Sequence, residues 1–211
     1  MLTPTFSKIR QPGEGYPFTY RKGPPQQGGP LVCTHYYTFR TRKNRRYVVE
    51  AEQYQHHVYV LKFYPLALKN SPNKFKLLVN DGDAFRILST CLRVFADICH
   101  RDPLASAGFI GEALLGESKA ITKRFRIYFQ SVATFIDSVD FAHHALPAIS
   151  AYFLENCANK EPDLLPNVEQ MFRKLYIVPE AMVAEIMSPG KRLKFNFSAK
   201  KSDFRLSHPV C

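Results

Sequence analysis

Regular alternation of apolar and polar positions begins at His35. Tyr37, Phe39 and Thr41 alternate with Thr38, Arg40 and Arg42, a polar Lys43-Asn44 pair interrupts, and Tyr47-Val48-Val49-Glu50-Ala51-Glu52 resumes the β-branched, alternating character. A two-residue period places successive side chains on opposite faces of a strand, so this stretch predicts a β-hairpin with a basic tip. A third strand fits 58–64, stopped by Pro65, and a fourth fits 75–79 after the Asn70-Ser71-Pro72-Asn73 turn. The period then changes. Ala84, Ile87, Leu88, Cys91, Leu92, Phe95, Ile98 and Cys99 recur at helical spacing, with Asp81 or Asp83 as N-cap and Asp102-Pro103 as the stop. Residues 107–110 read as a strand. Residues 120–136 read as a helix with Ile121, Phe125, Tyr128, Val132 and Ile136 on one face, 149–155 as a strand, and 164–176 as a last helix with Val168, Met171, Phe172 and Leu175 inward.

Strands first, then helix and strand in alternation, define an α+β domain: a mostly antiparallel sheet of five or six strands with two or three helices packed on one face. The connections among the first four strands are too short for parallel crossovers. Residues 1–34, which include Gly23-Pro24-Pro25 and Gly28-Gly29-Pro30, read as a flexible Pro/Gly-rich arm. The single domain is expected over 35–178. A basic tail with spaced aromatics (Phe195, Phe197, Phe204) follows over 179–211.

Composition narrows the class without naming a reaction. A chain of 211 residues that is 45% hydrophobic can bury one good core. No window approaches the ~20 apolar residues of a membrane span, and residues 1–10 lack a signal-peptide core, so a cytoplasmic location without membrane contact is expected. The five cysteines (Cys33, Cys91, Cys99, Cys157, Cys211) are widely spaced without a CxxC, which suggests neither a disulfide framework nor a zinc knuckle. The net charge of +11 is unevenly distributed along the chain. Residues 1–47 hold nine Lys or Arg against Glu14 alone, 189–211 hold six against Asp203 alone, and 48–188 hold fourteen against sixteen acids. Counted this way the basicity is peripheral, a distribution more typical of solubilising tails than of a surface that tracks a phosphate backbone.

Two segments carry candidate chemistry. The first, ASAGFIGEALLGESKAITKRFRIYF over 105–129, has the layout of a strand leading through a glycine-punctuated loop to a helix start, where unpaired amides and the helix dipole favour anions. Gly111 and Gly116 have the phosphate-loop interval, but Glu117 occupies the position of the required lysine and would repel phosphate. Gly116-Glu117-Ser118-Lys119-Ala120 also approaches a GxSxG elbow without the strand that must precede the serine. Asp102 with Glu117 and Lys119 would suit metal-dependent phosphodiester cleavage if the three converged. Lys119, Lys123 and Arg126 share one helix face and Arg124 points elsewhere, a pattern that equally describes a solvated face. The second segment is the hairpin tip, where Arg40, Arg42, Lys43, Arg45 and Arg46 lie near Tyr36, Tyr37 and Tyr47. That mixture can engage phosphates and stack bases, or simply protect a strand edge. The pairs His56-His57 and His143-His144 lack metal-ligand spacing, so no metal or cofactor is indicated.

The segments HYYTFRTRKNRRYVVE, SPNKFKLL, ILSTCLRVFADI, ASAGFIG and TKRFRIYF, in that order over 35–176, resemble an uncharacterised protein family of the Bacteroidota. Its members share a strand-rich start, a long helix, an F-I-G strand end and a T-K-R-F-R-x-Y helix. The resemblance implies a bacterial intracellular setting. It also places Gly111, Lys123, Arg124, Arg126 and Tyr128 in a shared pattern, which with Lys119 makes up the candidate anion site. The sequence therefore points first to a non-enzymatic interaction module for a polyanion, such as nucleic acid, or an acidic protein. A phosphate-centred enzyme such as a metal-dependent nuclease is the alternative, and no residue stands out as catalytic.

Overall fold

A computed structural model describes residues 13–76, 82–114, 116–118 and 120–175. Its elements are β1 (Phe18–Lys22), β2 (Leu31–Arg40), β3 (Arg46–Tyr54), β4 (Val58–Pro65), α1 (Ala84–Arg101), β5 (Ser106–Ile110), α2 (Lys123–Phe135), β6 (Phe141–Leu146), β7 (Ala151–Asn156) and α3 (Leu164–Leu175). The strands form one sheet in the order β1-β2-β3-β4-β5-β7-β6. Only β4 and β5 run parallel, joined through α1, and the other neighbours are antiparallel. The α+β class and the antiparallel character are as expected.

The sheet has seven strands where five or six were expected, and two of them, β1 and β6, were not foreseen. β1 comes from the Pro/Gly-rich stretch read as a flexible arm, because Phe18 and Tyr20 point to the same face as Phe39 and Tyr37, their register partners on β2. β6 was hidden by its histidines, yet Phe141 and Ala142 are buried where it pairs with β7. In the other direction, Phe75 and Lys76 lie in a turn, and 77–79 fall outside the described residues, as do Asp81 and the tail over 179–211.

The helices cover both faces rather than one. Tyr37, Phe39, Val49, Tyr59, Tyr152 and Leu154 pack with α1 and α2 on the first face, where Val94, Phe95, Ile98, Phe125 and Val132 supply the helical side. On the second face, Val58, Val60, Ala151 and Phe153 pack with Leu164, Val168 and Phe172 of α3. Gly108 of β5 is placed so that a Cβ there would strike the Phe172 ring. α3 thus covers β4, β5 and β7 on this face, and the neighbouring surface of β1 to β3 carries Thr19, Arg21, Tyr36, Thr38 and Glu50 instead of a core.

Candidate functional site

Sheet polarity brings the two basic segments to one end of the molecule. The turn between β2 and β3 lies beyond the Tyr47–Pro65 register pair, at the C-terminal end of β4. β5 runs parallel to β4, so its own C-terminal end, and the start of α2 that follows, lie at that same end. Arg40, Arg42, Lys43, Arg45 and Arg46 are therefore at the same end of the sheet as Lys123, Arg124 and Arg126. The opposite end holds Asp97, Asp102, Asp137, Asp140, Glu161 and Asp163, in the last turns of α1 and in the loops flanking β6, β7 and α3, together with Lys160 and with Arg101, which pairs with Asp97. A tally along the chain conceals this gathering of cations, although Asp83, Glu112 and Glu117 also lie at the hairpin end.

The helix-start corner is already filled by protein groups. Thr122 caps α2: its Oγ1 accepts from Phe125 N at 3.1 Å and donates to Gly111 O at 2.6 Å. The Glu117 carboxylate takes the place a bound anion would occupy, accepting from Lys123 N at 2.6 Å and Leu114 N at 2.9 Å. Those two backbone bonds, ahead of the nearby Lys123 and Arg126 charges, hold its pKa below the usual glutamate value. Gly111 is needed because a Cβ there would stand 2.7 Å from Phe125 Cα. Arg124 Nη1 donates to Phe75 O, tying the segment after β4 to α2. Tyr128 packs edge-on against Phe109 at 5.3 Å and tilts against Phe63 at 5.8 Å, and burial pushes its hydroxyl pKa up. Lys119 lies outside the described residues. Of the candidates at this corner, Lys123 and Arg126 are the described cations that face solvent.

The hairpin tip is a different case. Thr41 is buried and closes the turn through Thr41 N to Arg45 O and Asn44 N to Thr41 O, both 2.9 Å. Asn44 takes the left-handed conformation (φ 58°) that asparagine tolerates. Tyr16 OH accepts from Arg42 N at 3.2 Å, and the Tyr16 ring stacks on Phe39, which stacks on Tyr47. With the turn held from beneath, all five cations are exposed. Arg40 and Arg46 are direct cross-strand partners, an arrangement that places like charges about 5 Å apart at Cβ and is unfavourable in itself. Arg40 Nη1 donates to Asn44 Oδ1 at 2.6 Å, and among the described residues no carboxylate pairs with Arg40, Arg42, Lys43 or Arg46.

These arginines border a recess. A depression of about 530 Å³ is lined by Arg40, Arg45 and Arg46 on one side and by Pro65, Leu66 and Leu68 on the other. A second, of about 370 Å³, shares Leu66 and continues down the open face of β1 to β3, past Thr38 and Thr19 to Tyr36, Arg21 and Lys69. The Arg21 guanidinium lies 5.1 Å from the centre of the Tyr36 ring. The carboxylate of Glu50, which also lines this part, accepts from Tyr64 OH at 2.6 Å and faces Lys74 Nζ at 3.5 Å. Of the tyrosines noted beside the tip, Tyr37 and Tyr47 are buried and Tyr36 remains half-exposed in the groove. Arg21 and Lys69 escaped the sequence reading because the first sits in the glycine-rich stretch and the second in an irregular loop. The alternation of Tyr36, Thr38 and Arg40 was the available signal for a polar, cationic strand face.

The remaining candidates disperse. Asp102 and Glu117 sit beyond opposite ends of β5, a strand roughly 13 Å long at ~3.3 Å per residue. Asp102 is engaged by His57 Nδ1 and Tyr59 OH, each at 2.9 Å. The convergence that phosphodiester cleavage requires is therefore absent between these two carboxylates. His56 faces Glu161 at 2.8 Å, His144 faces Glu155 at 2.7 Å, and His143 meets Tyr152 OH at 2.5 Å with its pKa lowered, chiefly by burial. Among the described residues no cluster of three or more His, Cys, Asp or Glu could hold a metal ion, and no helix is long and apolar enough to cross a membrane.

One group was missed at the level of sequence. Cys33 Sγ lies 3.3 Å from His35 Nε2 and 3.2 Å from Gln53 Oε1, with Tyr20 OH 3.0 Å from His35 Nδ1. The i, i+2 spacing on β2 was its signal. A thiol beside an imidazole is nucleophile chemistry in an open cleft, but Cys33 is 1% exposed and burial raises its pKa, so the thiol form is kept. No family model, curated protein or solved structure matches the chain.

Proposed function

We propose that this protein is a non-enzymatic binding module whose basic hairpin engages an anionic partner, either a polyanion chain or an acidic protein surface. The observation that carries this reading is the recess between the hairpin tip and the Pro65–Leu68 turn, bordered by Arg40, Arg45 and Arg46, where Arg40 and Arg46 are cross-strand partners and neither pairs with a carboxylate among the described residues. Such a pair costs stability in the free protein and is relieved by a bound anion. Lys123 and Arg126 add positive potential at the same end. The capped start of α2 contributes no free site of its own there, since Glu117 and Thr122 already hold its amides.

The test is retention on immobilised heparin across a salt gradient. The wild-type protein is expected to elute well above physiological salt, and Arg42→Ala with Arg45→Ala to elute markedly earlier while melting at an unchanged temperature, because both side chains are exposed. Equal elution of the two proteins would remove the hairpin from the function.

A further inference from the structure

The groove extends beyond the arginines, and its composition changes as it does so. Along β2 on the open face the side chains run Arg40, Thr38, Tyr36, with Arg46, Val48 and Glu50 opposite on β3, and Thr19 and Arg21 opposite Thr38 and Tyr36 on β1. From Arg40 to Tyr36 is roughly 13 Å along the strand, at ~3.3 Å per residue. Cations lie at the mouth, hydroxyls in the middle, and at the far end an aromatic ring with the Arg21 guanidinium over one face. The acid of the groove, Glu50, is engaged by Tyr64 and Lys74.

We infer that this open face of β1 to β3 is a binding platform for single-stranded nucleic acid, with phosphates held at Arg40 and Arg46 and an unpaired base stacked on Tyr36 beside Arg21. The inference rests on the polyanion reading above and specifies its ligand. A duplex keeps its bases stacked on one another and offers no π-face to Tyr36, whereas a single strand does, and stacking on an exposed aromatic with a cation at hand is the means by which open sheet faces hold unpaired bases. An acidic peptide would satisfy the arginines, but it would find no use for an aromatic ring placed beyond a run of hydroxyls. Heparin and polyphosphate satisfy the charges alone.

The chain contains no tryptophan, so Tyr36→Trp installs a single reporter at the proposed stacking position. Titration of that variant with a short single-stranded RNA is expected to quench its fluorescence, and titration with heparin to leave it nearly unchanged. In anisotropy measurements with the same labelled RNA, Tyr36→Ala is expected to weaken binding five-fold or more, Tyr36→Phe to retain it, and the matching duplex to bind more weakly than the single strand. Heparin elution of Tyr36→Ala should match the wild type. Unchanged RNA affinity in Tyr36→Ala, or equal affinity for duplex, single strand and polyglutamate, overturns the platform. If heparin retention still depends on the hairpin in that case, the broader polyanion reading stands. Loss of both would dismiss both. Tyr36 is half-exposed, and a melting curve on each variant separates a binding defect from a folding one.

Discussion

Glu117 shows how a single side chain can change the meaning of a motif. In the linear sequence it spoils a phosphate loop by standing where a lysine is required. In the folded chain its carboxylate holds the amides of Leu114 and Lys123, so the acid replaces the ligand as well as repelling it. Both bonds favour the ionised form, which puts the folded-state pKa below the unfolded one. Its stabilisation is then complete above the ordinary glutamate range and is lost as pH falls through the depressed value. Glu117→Gln is expected to lower stability near neutral pH by about 1 kcal/mol or less, the scale of a solvent-accessible helix cap. The difference between variant and wild type should vanish in acid. Thermal melts across that pH range provide the check, and a constant difference would show that the charge is not what matters.

At the scale of elements, α3 is the cover of the second core. Its Leu164, Val168 and Phe172 close over Val58, Val60 and Phe153, and Phe172 fills the space that Gly108 leaves. Phe172→Ala is expected to cost roughly 3 to 5 kcal/mol. Hydrogen exchange should show the loss first in the amides of α3, with α1 protected until the whole sheet opens, because α1 belongs to the other face. The elements themselves were largely legible. The helical stripe from Ala84 to Cys99 gave α1 nearly to the residue, and the alternation around Tyr37 and Tyr47 placed β2 and β3, although β2 begins at Leu31, inside the stretch read as an arm. Two strands were not legible. β1 sits among glycines and prolines and gains its order from pairing with β2, while the histidines of β6 mask an alternation completed only by β7. The assignment of all helices to one face failed for a related reason: amphipathicity shows that a helix has a partner without showing which side of the sheet supplies it. The candidate site was half legible. The basic tip could be read directly, but its recess depends on a turn at Pro65–Leu68 that contacts it only in the fold.

At the scale of the whole molecule, the described cations of the hairpin and of the α2 start gather at one end of the sheet, and the hairpin adds a local strain to that arrangement. Replacing Arg46 with Thr removes one half of a like-charged cross-strand pair and supplies a residue that suits a strand. This change is expected to raise stability by a few tenths to 1 kcal/mol while shifting heparin elution to lower salt. Paired melting and elution measurements decide it, and a variant that is weaker in both would show that Arg46 serves the fold rather than the ligand. Such opposition between stability and binding is what marks a residue as retained for function.

The parallel pairing of β4 with β5 decides which charges share an end of the sheet. Had β5 run the other way, Asp102 would lie at the hairpin end and the start of α2 at the far end of the sheet, parting the cations of hairpin and helix. As built, the described cations of hairpin and helix act together at one end of the strands, and their field would turn the protein hairpin-first toward an anionic polymer before any contact forms. Productive collisions would then be frequent at low ionic strength and would become rarer as salt shortens the reach of that torque.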